Sequence, residues 1–350
     1  MMDAQVKEVA KHFGFNPVSI ESLTEGLIHK TYKVVFEDGR IIILQQINTT
    51  VFTEPKKITR NYQQLCEHLS NHDGLKIPGI RKTTKNTELY DDGKFCWRAF
   101  EYITHSYTEN LPTTKEKIFS TAQCYGVFVR SLSGMDASSL QPTIAGFHDL
   151  NGRYIQLQQA IQSATQTRLA NSKTWIEKIE DRKSLVNFYN AIIQNPEFRK
   201  RAMHHDCKLS NILFDSRNQQ AICPIDLDTV MPGYFFSDVG DMVRSMVSET
   251  EEDSPAEKIL IRKDYYEVIM NGYRLGIGDT FTQTELDHMH HVGLIMIYMQ
   301  GIRFLTDYLS NDVYYKISYP MQNFDRAVNQ LTLLEKLQEF LETDYQYKIS

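Results

Sequence analysis

His204-His205-Asp206-Cys207-Lys208-Leu209-Ser210-Asn211 places a lysine two positions and an asparagine five positions after an aspartate. About fifteen residues further on, Asp226 closes the apolar run Ala221-Ile222-Cys223-Pro224-Ile225. A phosphoryl-transfer site needs those parts in that order. One carboxylate orients and deprotonates the acceptor hydroxyl, and a cation offsets charge on the moving phosphoryl group. An amide and a second carboxylate hold the magnesium that bridges the nucleotide phosphates. A polar turn between two strands would explain a lone Asp or Asn. It does not explain the full spacing followed by a short hairpin and an apolar-apolar-Asp strand end.

Asp206 is therefore read as the general base or hydroxyl-orienting group, a contribution of about 10²–10⁴-fold in rate. Lys208 is placed to reach the transferring phosphoryl oxygens, with a surface lysine as the plain reading. Asn211 and Asp226 offer one neutral and one charged oxygen, a set that suits hard magnesium. Asp228 faces the same side of an extended segment as Asp226 and reads either as a metal or substrate carboxylate or as a turn cap. His204 reads as a brace for the loop. Asp238 is expected to accept backbone N–H bonds at the start of a helix near Met242 and to tie the loop down.

The surroundings of the loop agree with this reading. Thr31 to Phe36 reads as a strand, Glu37-Asp38-Gly39-Arg40 as a hairpin turn and Ile41 to Ile47 as its partner. Glu54-Pro55 opens a helix with Ile58, Tyr62, Leu65 and Leu69 on one face, and strands near Thr87 to Tyr90 and Phe95 to Ile103 flank Asp91-Asp92-Gly93. After Thr104 the period changes to 3.6. Lys115–Leu132, Asn151–Ala164, Trp175–Asn195, Pro255–Leu275, Thr284–Leu309 and Asn323–Leu341 all read as helices, and Met1 to Phe15 as a short amphipathic one. The fold class expected is α+β with two lobes: residues 1–104 as a small β-rich nucleotide-binding lobe, and residues 105–350 as a larger helical catalytic and acceptor-binding lobe.

Composition narrows the partners. At 350 residues with a net charge of −6, neither nucleic acid nor an anionic membrane is suggested. Five scattered cysteines without a CxxC pair read as a reduced, cytoplasmic protein with no zinc site. No apolar run reaches transmembrane length. His288, His290 and His291 have no acidic ligand at matching spacing and read as structural. Glu25 to Tyr32, with Gly26 as its one glycine and Thr31 at the strand start, is a phosphate-cover candidate. Arg303 and Asp307 stand at i, i+4 in a very apolar helix, a spacing that fits an ion pair or recognition of a hydroxyl-rich acceptor.

These motifs together resemble the aminoglycoside phosphotransferase and choline-kinase-like superfamily, and within it the N-acetylhexosamine 1-kinases. The catalytic loop carries the likeness to the superfamily. Ile43-Leu44-Gln45-Gln46-Ile47-Asn48 with Val51-Phe52 and Gly146-Phe147-His148-Asp149 add to the resemblance. The likeness to the sugar kinases rests on Gln45-Gln46-Ile47-Asn48, Asp226-Leu227-Asp228-Thr229-Val230-Met231-Pro232-Gly233 and Arg303 to Tyr308. The resemblance implies a protein-kinase-like bilobal fold and ATP with Mg²⁺. Asp206 would be the catalytic aspartate, Asn211 and Asp226 the metal ligands, and Glu101 to Ile103 the hinge against adenine. It implies phosphorylation of N-acetylglucosamine or N-acetylgalactosamine at the anomeric hydroxyl. The alternatives are a kinase for choline or ethanolamine, homoserine or an aminoglycoside, or a catalytically silent nucleotide-binding protein. The strand that carries a lysine in most kinases reads Leu44-Gln45-Gln46 here. A neutral pair of Gln45 with Asn61 is the expected replacement for the usual lysine–glutamate pair.

Overall fold

The computed structural model describes residues 2–23, 28–70, 75–111 and 113–347. Helix α1 (Met2–Ala10) leads into strands β1 (Pro17–Leu23), β2 (Lys30–Phe36) and β3 (Ile41–Gln46). Helix α2 (Pro55–Ser70) and strands β4 (Ile80–Arg81), β5 (Tyr90–Asp91) and β6 (Cys96–Glu101) follow. The strands form one antiparallel sheet in the order β1-β2-β3-β6-β4, with β5 beside β6. Alternation gives this sheet two different faces. Tyr32, Val34, Phe36, Ile42, Leu44, Trp97 and Ala99 bury Val6, Val9, Ala10 and Phe13 of α1 and the turn after it. A nine-residue helix is marginal alone; burying those side chains, at about 1.5–3 kcal/mol each, holds it. The other face carries Thr31, Ile43, Gln45, Arg98 and Phe100, because Gln45 is in register with both Thr31 and Arg98.

Strand β7 (Ser106–Tyr107) and helices α3 (Lys115–Ser131), α4 (Leu150–Ser163), α5 (Gln166–Glu180) and α6 (Ser184–Gln194) begin the helical part. Strands β8 (Arg201–Met203), β9 (Ile212–Asp215), β10 (Ala221–Pro224) and β11 (Met231–Gly233) then precede α7 (Phe236–Met246), α8 (Lys263–Ile277), α9 (Gln283–Asp287), α10 (Val292–Leu309) and α11 (Gln322–Tyr345). β8 pairs with β11, and β9 pairs with both β10 and β7. Glycine sets the approach of α3 to α8: a Cβ on Gly276 would lie 2.2 Å from the Gln123 carbonyl oxygen. In α10 every residue is buried except Gln300, Arg303 and Thr306, which share one stripe at three-residue spacing. Helix α2 sends Tyr62, Leu65 and Leu69 into this larger core. No helix among the described residues is long and apolar enough to cross a membrane.

Several expected elements differ. The single helix over Trp175–Asn195 is two, α5 starting nine residues earlier behind Thr165, whose hydroxyl accepts the Arg168 N–H. Helix α8 begins at Lys263, because Pro255 opens only a short 3₁₀ turn. The stretch from Thr284 to Leu309 is broken after α9, whose own capping box joins Thr282 to Glu285. Helix α7 starts at Phe236 rather than near Met242, held by burial of Phe235 and Phe236 rather than by a cap. Strand β1 was unforeseen; most of its side chains are exposed.

Candidate functional site

The loop between β8 and β9 is held from below. His205 sits at φ 68°, a left-handed conformation uncommon for a non-glycine residue. The buried Asp238 carboxylate secures the turn, accepting the N–H of His204 (3.0 Å) and of His205 (2.8 Å). Asp238 lies in the first turn of α7, so the tie-down expected of it comes from a helix that starts earlier than its sequence suggested. The His204 ring accepts the Asp206 N–H at Nδ1 (3.3 Å), which leaves Nε2–H to donate to the Ile225 carbonyl (2.9 Å). Thr229 Oγ1 donates to the His204 carbonyl (2.7 Å). Both strand ends that carry the acidic residues are thus tied to one imidazole.

Asp206, Lys208 and Asn211 meet as expected. Asn211 Nδ2 donates to the Asp206 carbonyl and to its Oδ2, both at 2.9 Å, and Lys208 Nζ lies 3.1 Å from the same Oδ2. Among the described residues this leaves Oδ1 for a ligand. Burial works against the Asp206 anion, but Lys208, with His204 and Arg244, outweighs it and holds the carboxyl below its usual range. Burial likewise opposes the Lys208 charge, and Asp206 more than compensates. The result is a carboxylate that stays ionised, next to a fixed ammonium.

Asp226 adopts φ 58°, ψ 50° and stands across from Asn211, whose carbonyl accepts the Ile225 N–H (2.9 Å). Burial, and then Asp228, pushes the Asp226 carboxyl above its usual range. Asn211 spends its amide N–H groups on Asp206, so its amide oxygen is the atom left to a ligand. An amide oxygen beside a carboxylate that lacks a counter-charge fits a hard divalent cation. His29, Asp226 and Asp228 also offer ligand atoms within 4.8 Å of one another. His29 Nδ1, however, accepts the Asn48 N–H (3.0 Å), so Nε2 carries the proton and donates to Asp228 Oδ2 (2.7 Å). It is not available as a ligand.

Two sequence expectations need correcting here. Asp228 does not face an acceptor: 1% exposed, it receives Arg98 Nη1 on Oδ1 (2.6 Å) and Arg98 Nη2 on Oδ2 (2.5 Å). Gln45 does not pair with Asn61. Its amide donates to Thr31 Oγ1 (3.2 Å) and its carbonyl accepts from Arg98 Nε (3.1 Å) and Nη2 (2.9 Å). Asn61 instead binds the backbone of Gln141 and Val230, joining α2 to the segment before α4 and to the one before β11. Gly26 lies outside the described residues. Glu101 ends β6 with its carboxylate at the surface beside Arg81 (3.1 Å), and the Ile103 carbonyl accepts the Ser106 hydroxyl (2.7 Å).

A second wall packs against His205 of the loop through Phe147 and His148. Arg303 does not pair with Asp307; it donates to Gln300 (2.9 Å) and lies between the rings of Phe147 (5.1 Å) and Tyr315 (5.6 Å). Asp307 is committed elsewhere, accepting the N–H groups of Tyr314 (2.8 Å) and Tyr315 (2.9 Å) and the Asn323 amide (2.9 Å), and so it sets the turn that carries Tyr315. His148 packs on His205 with ring centres 5.1 Å apart. Burial, then His205, Arg303, Arg244 and Arg153, drives its pKa well below the usual value. Among the described residues His148 Nδ1, Arg153 Nε and Thr306 Oγ1 are buried without a partner, and such groups call for an explanation. Arg98, Arg153 and Arg244 were missed by the sequence reading. Of these only Arg153 carried a signal, four residues after the Gly146-Phe147-His148-Asp149 stretch.

Several solved structures share this architecture. An aminoglycoside phosphotransferase from Alicyclobacillus acidocaldarius matches at 13% identity over 96% of this chain and 94% of its own, with a TM-score of 0.65. A microcompartment-associated aminopropanol kinase matches at 15% over 99% and 100%, TM-score 0.66. An amicoumacin kinase in complex with AMP-PNP, Ca²⁺ and its antibiotic matches at 12% over 99% and 94%, TM-score 0.59. At these identities the likeness is one of fold, the kinase-like α+β arrangement. The sequence itself goes further, since residues 19–271 match the model of the phosphotransferase enzyme family. With most of the chain inside that match, and with Asp206, Lys208, Asn211 and Asp226 gathered at one loop, this protein belongs to the phosphotransferase enzyme family.

Proposed function

We propose that the chain is an ATP- and magnesium-dependent kinase that phosphorylates an N-acetylhexosamine, N-acetylglucosamine or N-acetylgalactosamine, at its anomeric hydroxyl. In this reading the nucleotide binds between residues 1–104 and residues 105–350. Thr31, Glu101 and Ile103 belong to its site. Asp206, ionised at neutral pH, orients the anomeric hydroxyl and takes its proton as the new O–P bond forms. The bond from the γ-phosphorus to the β–γ bridging oxygen breaks to release ADP, while Lys208 offsets charge on the phosphoryl oxygens. Asn211 and Asp226 would hold magnesium, which would supply the positive charge that the phosphates require. The anomeric hydroxyl is the most acidic one of a free sugar, so a carboxylate is base enough.

The observation that carries the sugar is the second wall. Arg303 held between Phe147 and Tyr315, with Arg153 near it, presents guanidinium charge to the acceptor, whereas Arg244 is neutralised by Asp241 and Glu252. A cation such as choline or an aminoglycoside would meet repulsion there. A neutral molecule rich in hydroxyl and amide oxygens would find donors and two aromatic faces. The buried unpartnered atoms of His148, Arg153 and Thr306 are suited to the same ligand.

The test is ADP release over a panel of free sugars, choline, homoserine and aminoglycosides, beside Asp206→Asn. Turnover is expected with N-acetylhexosamines, and phosphorus NMR of the product should place the phosphate on C1. Turnover with choline but not N-acetylglucosamine would sink the sugar.

A further inference from the structure

The strand lysine that most kinases pair with a helix glutamate is absent, and the residue in register with Gln45 on the next strand is Arg98. Its side chain is 3% exposed and lies over the Phe100 ring at 4.8 Å. Of its five N–H donors, four are spent: two on Asp228 in a fork-to-fork pair and two on the Gln45 carbonyl. Asp228 in turn takes His29 Nε2–H, and the ring of His29 rests on Phe52 at 5.3 Å. Three distant stretches therefore converge in one buried cluster: β6, the segment between β10 and β11, and the residues that lead into β2. Arg98 and Asp228 cancel in charge, so the pair brings no net cation to a phosphate. What it does is fix Asp228 two residues from Asp226, and His29 just before β2, within the phosphate-cover candidate Glu25 to Tyr32.

We propose that Arg98, Asp228 and His29 form a latch that positions Asp226 and the entry to β2 for the nucleotide's metal-bound phosphates, in place of the strand-lysine and helix-glutamate pair. This rests on the nucleotide-binding part of the proposed function and not on the sugar. The latch residues are positioning residues, since each acts through Asp226 or the segment into β2. Outer-shell partners of this kind are worth about 10–100-fold in metal affinity or activity. A neutral packing ion pair would leave phosphate recognition untouched, and that difference can be measured.

The experiment uses the full chain with no acceptor present. MgATP and adenosine are titrated calorimetrically into wild type, Arg98→Met, Asp228→Leu, the double variant and the milder Arg98→Lys, with thermal melts alongside. Each single variant should melt earlier and bind MgATP about 10–100-fold more weakly, while adenosine affinity holds. The double variant, which removes both charges, should regain most of the melting temperature, as apolar replacements of buried pairs often do. It should not regain MgATP affinity. Arg98→Lys keeps the charge without the fork and should show the same MgATP-selective loss with little change in melting, which covers the case in which the harsher variants do not fold. Recovery of both properties in the double variant, or equal losses for adenosine and MgATP, would overturn the latch. So would unchanged MgATP binding in Arg98→Lys and the single variants. A wild type that binds no MgATP would instead overturn the nucleotide reading itself.

Discussion

The loop between β8 and β9 and the wall that meets it where His148 packs on His205 are built in opposite ways. In the loop, polar groups are matched: Asp238 takes two backbone N–H groups, His204 bridges Asp206 to Ile225, and Asn211 and Lys208 share one oxygen of Asp206. In the wall, His148 Nδ1, Arg153 Nε and Thr306 Oγ1 are buried and unmatched among the described residues, although Arg244 behind it is paired with Asp241 and Glu252. The difference separates two jobs. On the proposed function, the loop would present Asp206 in one geometry before anything binds, whereas the wall would leave unmatched atoms for an acceptor to approach. The loop should therefore lose both rate and stability when altered, while the wall should lose binding and, at some positions, become more stable.

The largest effect belongs to Asp206. Replacement by Asn keeps the shape and the neighbours and removes the base, so turnover should fall by about 10²–10⁴-fold with a near-native melting curve. A loss below tenfold in single-turnover ADP release would remove Asp206 from the base role. Next comes Asp238→Ala. It strands two buried N–H groups, each costing about 1–3 kcal/mol, so urea unfolding should show roughly 2–5 kcal/mol lost together with a lower kcat. If stability is unchanged, the loop is not held in the way the comparison requires.

On the wall, Arg303→Met is expected to raise the KM for N-acetylglucosamine by about 10–100-fold, the range for losing a hydrogen bond from a charged group, with the KM for MgATP unmoved. A parallel rise in both values would mean that Arg303 shapes the whole cleft. Thr306→Val should go the other way in stability. It removes a buried hydroxyl that has no partner and should add up to about 1 kcal/mol while weakening acceptor binding. A loss of stability would show that the hydroxyl is already satisfied in solution.

How much of this was readable beforehand follows the range of the interactions. Asp206, Lys208 and Asn211 lie within six residues of one another, so their spacing alone brings them together. The strand hairpin of β2 and β3 was readable because alternation and the Asp38-Gly39 turn are local signals. Arg98 was not, because its partners lie 53 and 130 residues away and only the strand register brings them together. The same applies to Asp228, whose acidic side chain suggested a ligand until its burial against Arg98 was seen. Strand β1 hides for another reason: with most of its side chains in solvent, it lacks the apolar alternation that marks a half-buried strand. The start of α7 was misplaced because packing of Phe235 and Phe236 sets it, and packing has no cap signature.

The smallest effect concerns acid. His148 is buried, and His205, Arg303, Arg244 and Arg153 add positive charge around it, so its folded pKa lies well below its ordinary value. The unfolded chain takes up this proton near pH 6.5 and the folded chain does not. Stability from this group is therefore full above about pH 6.5 and falls as pH drops below it, by at most about 1.4 kcal/mol per pH unit for one proton. In His148→Phe the slope of stability between pH 6.5 and 5 should be shallower by that single proton. Asp238→Ala, which leaves His148 in place, should keep the wild-type slope from this group. An unchanged slope in His148→Phe would mean that the imidazole is already protonated in the folded protein. The wall would then carry one more cation, and the case against a cationic acceptor would be stronger.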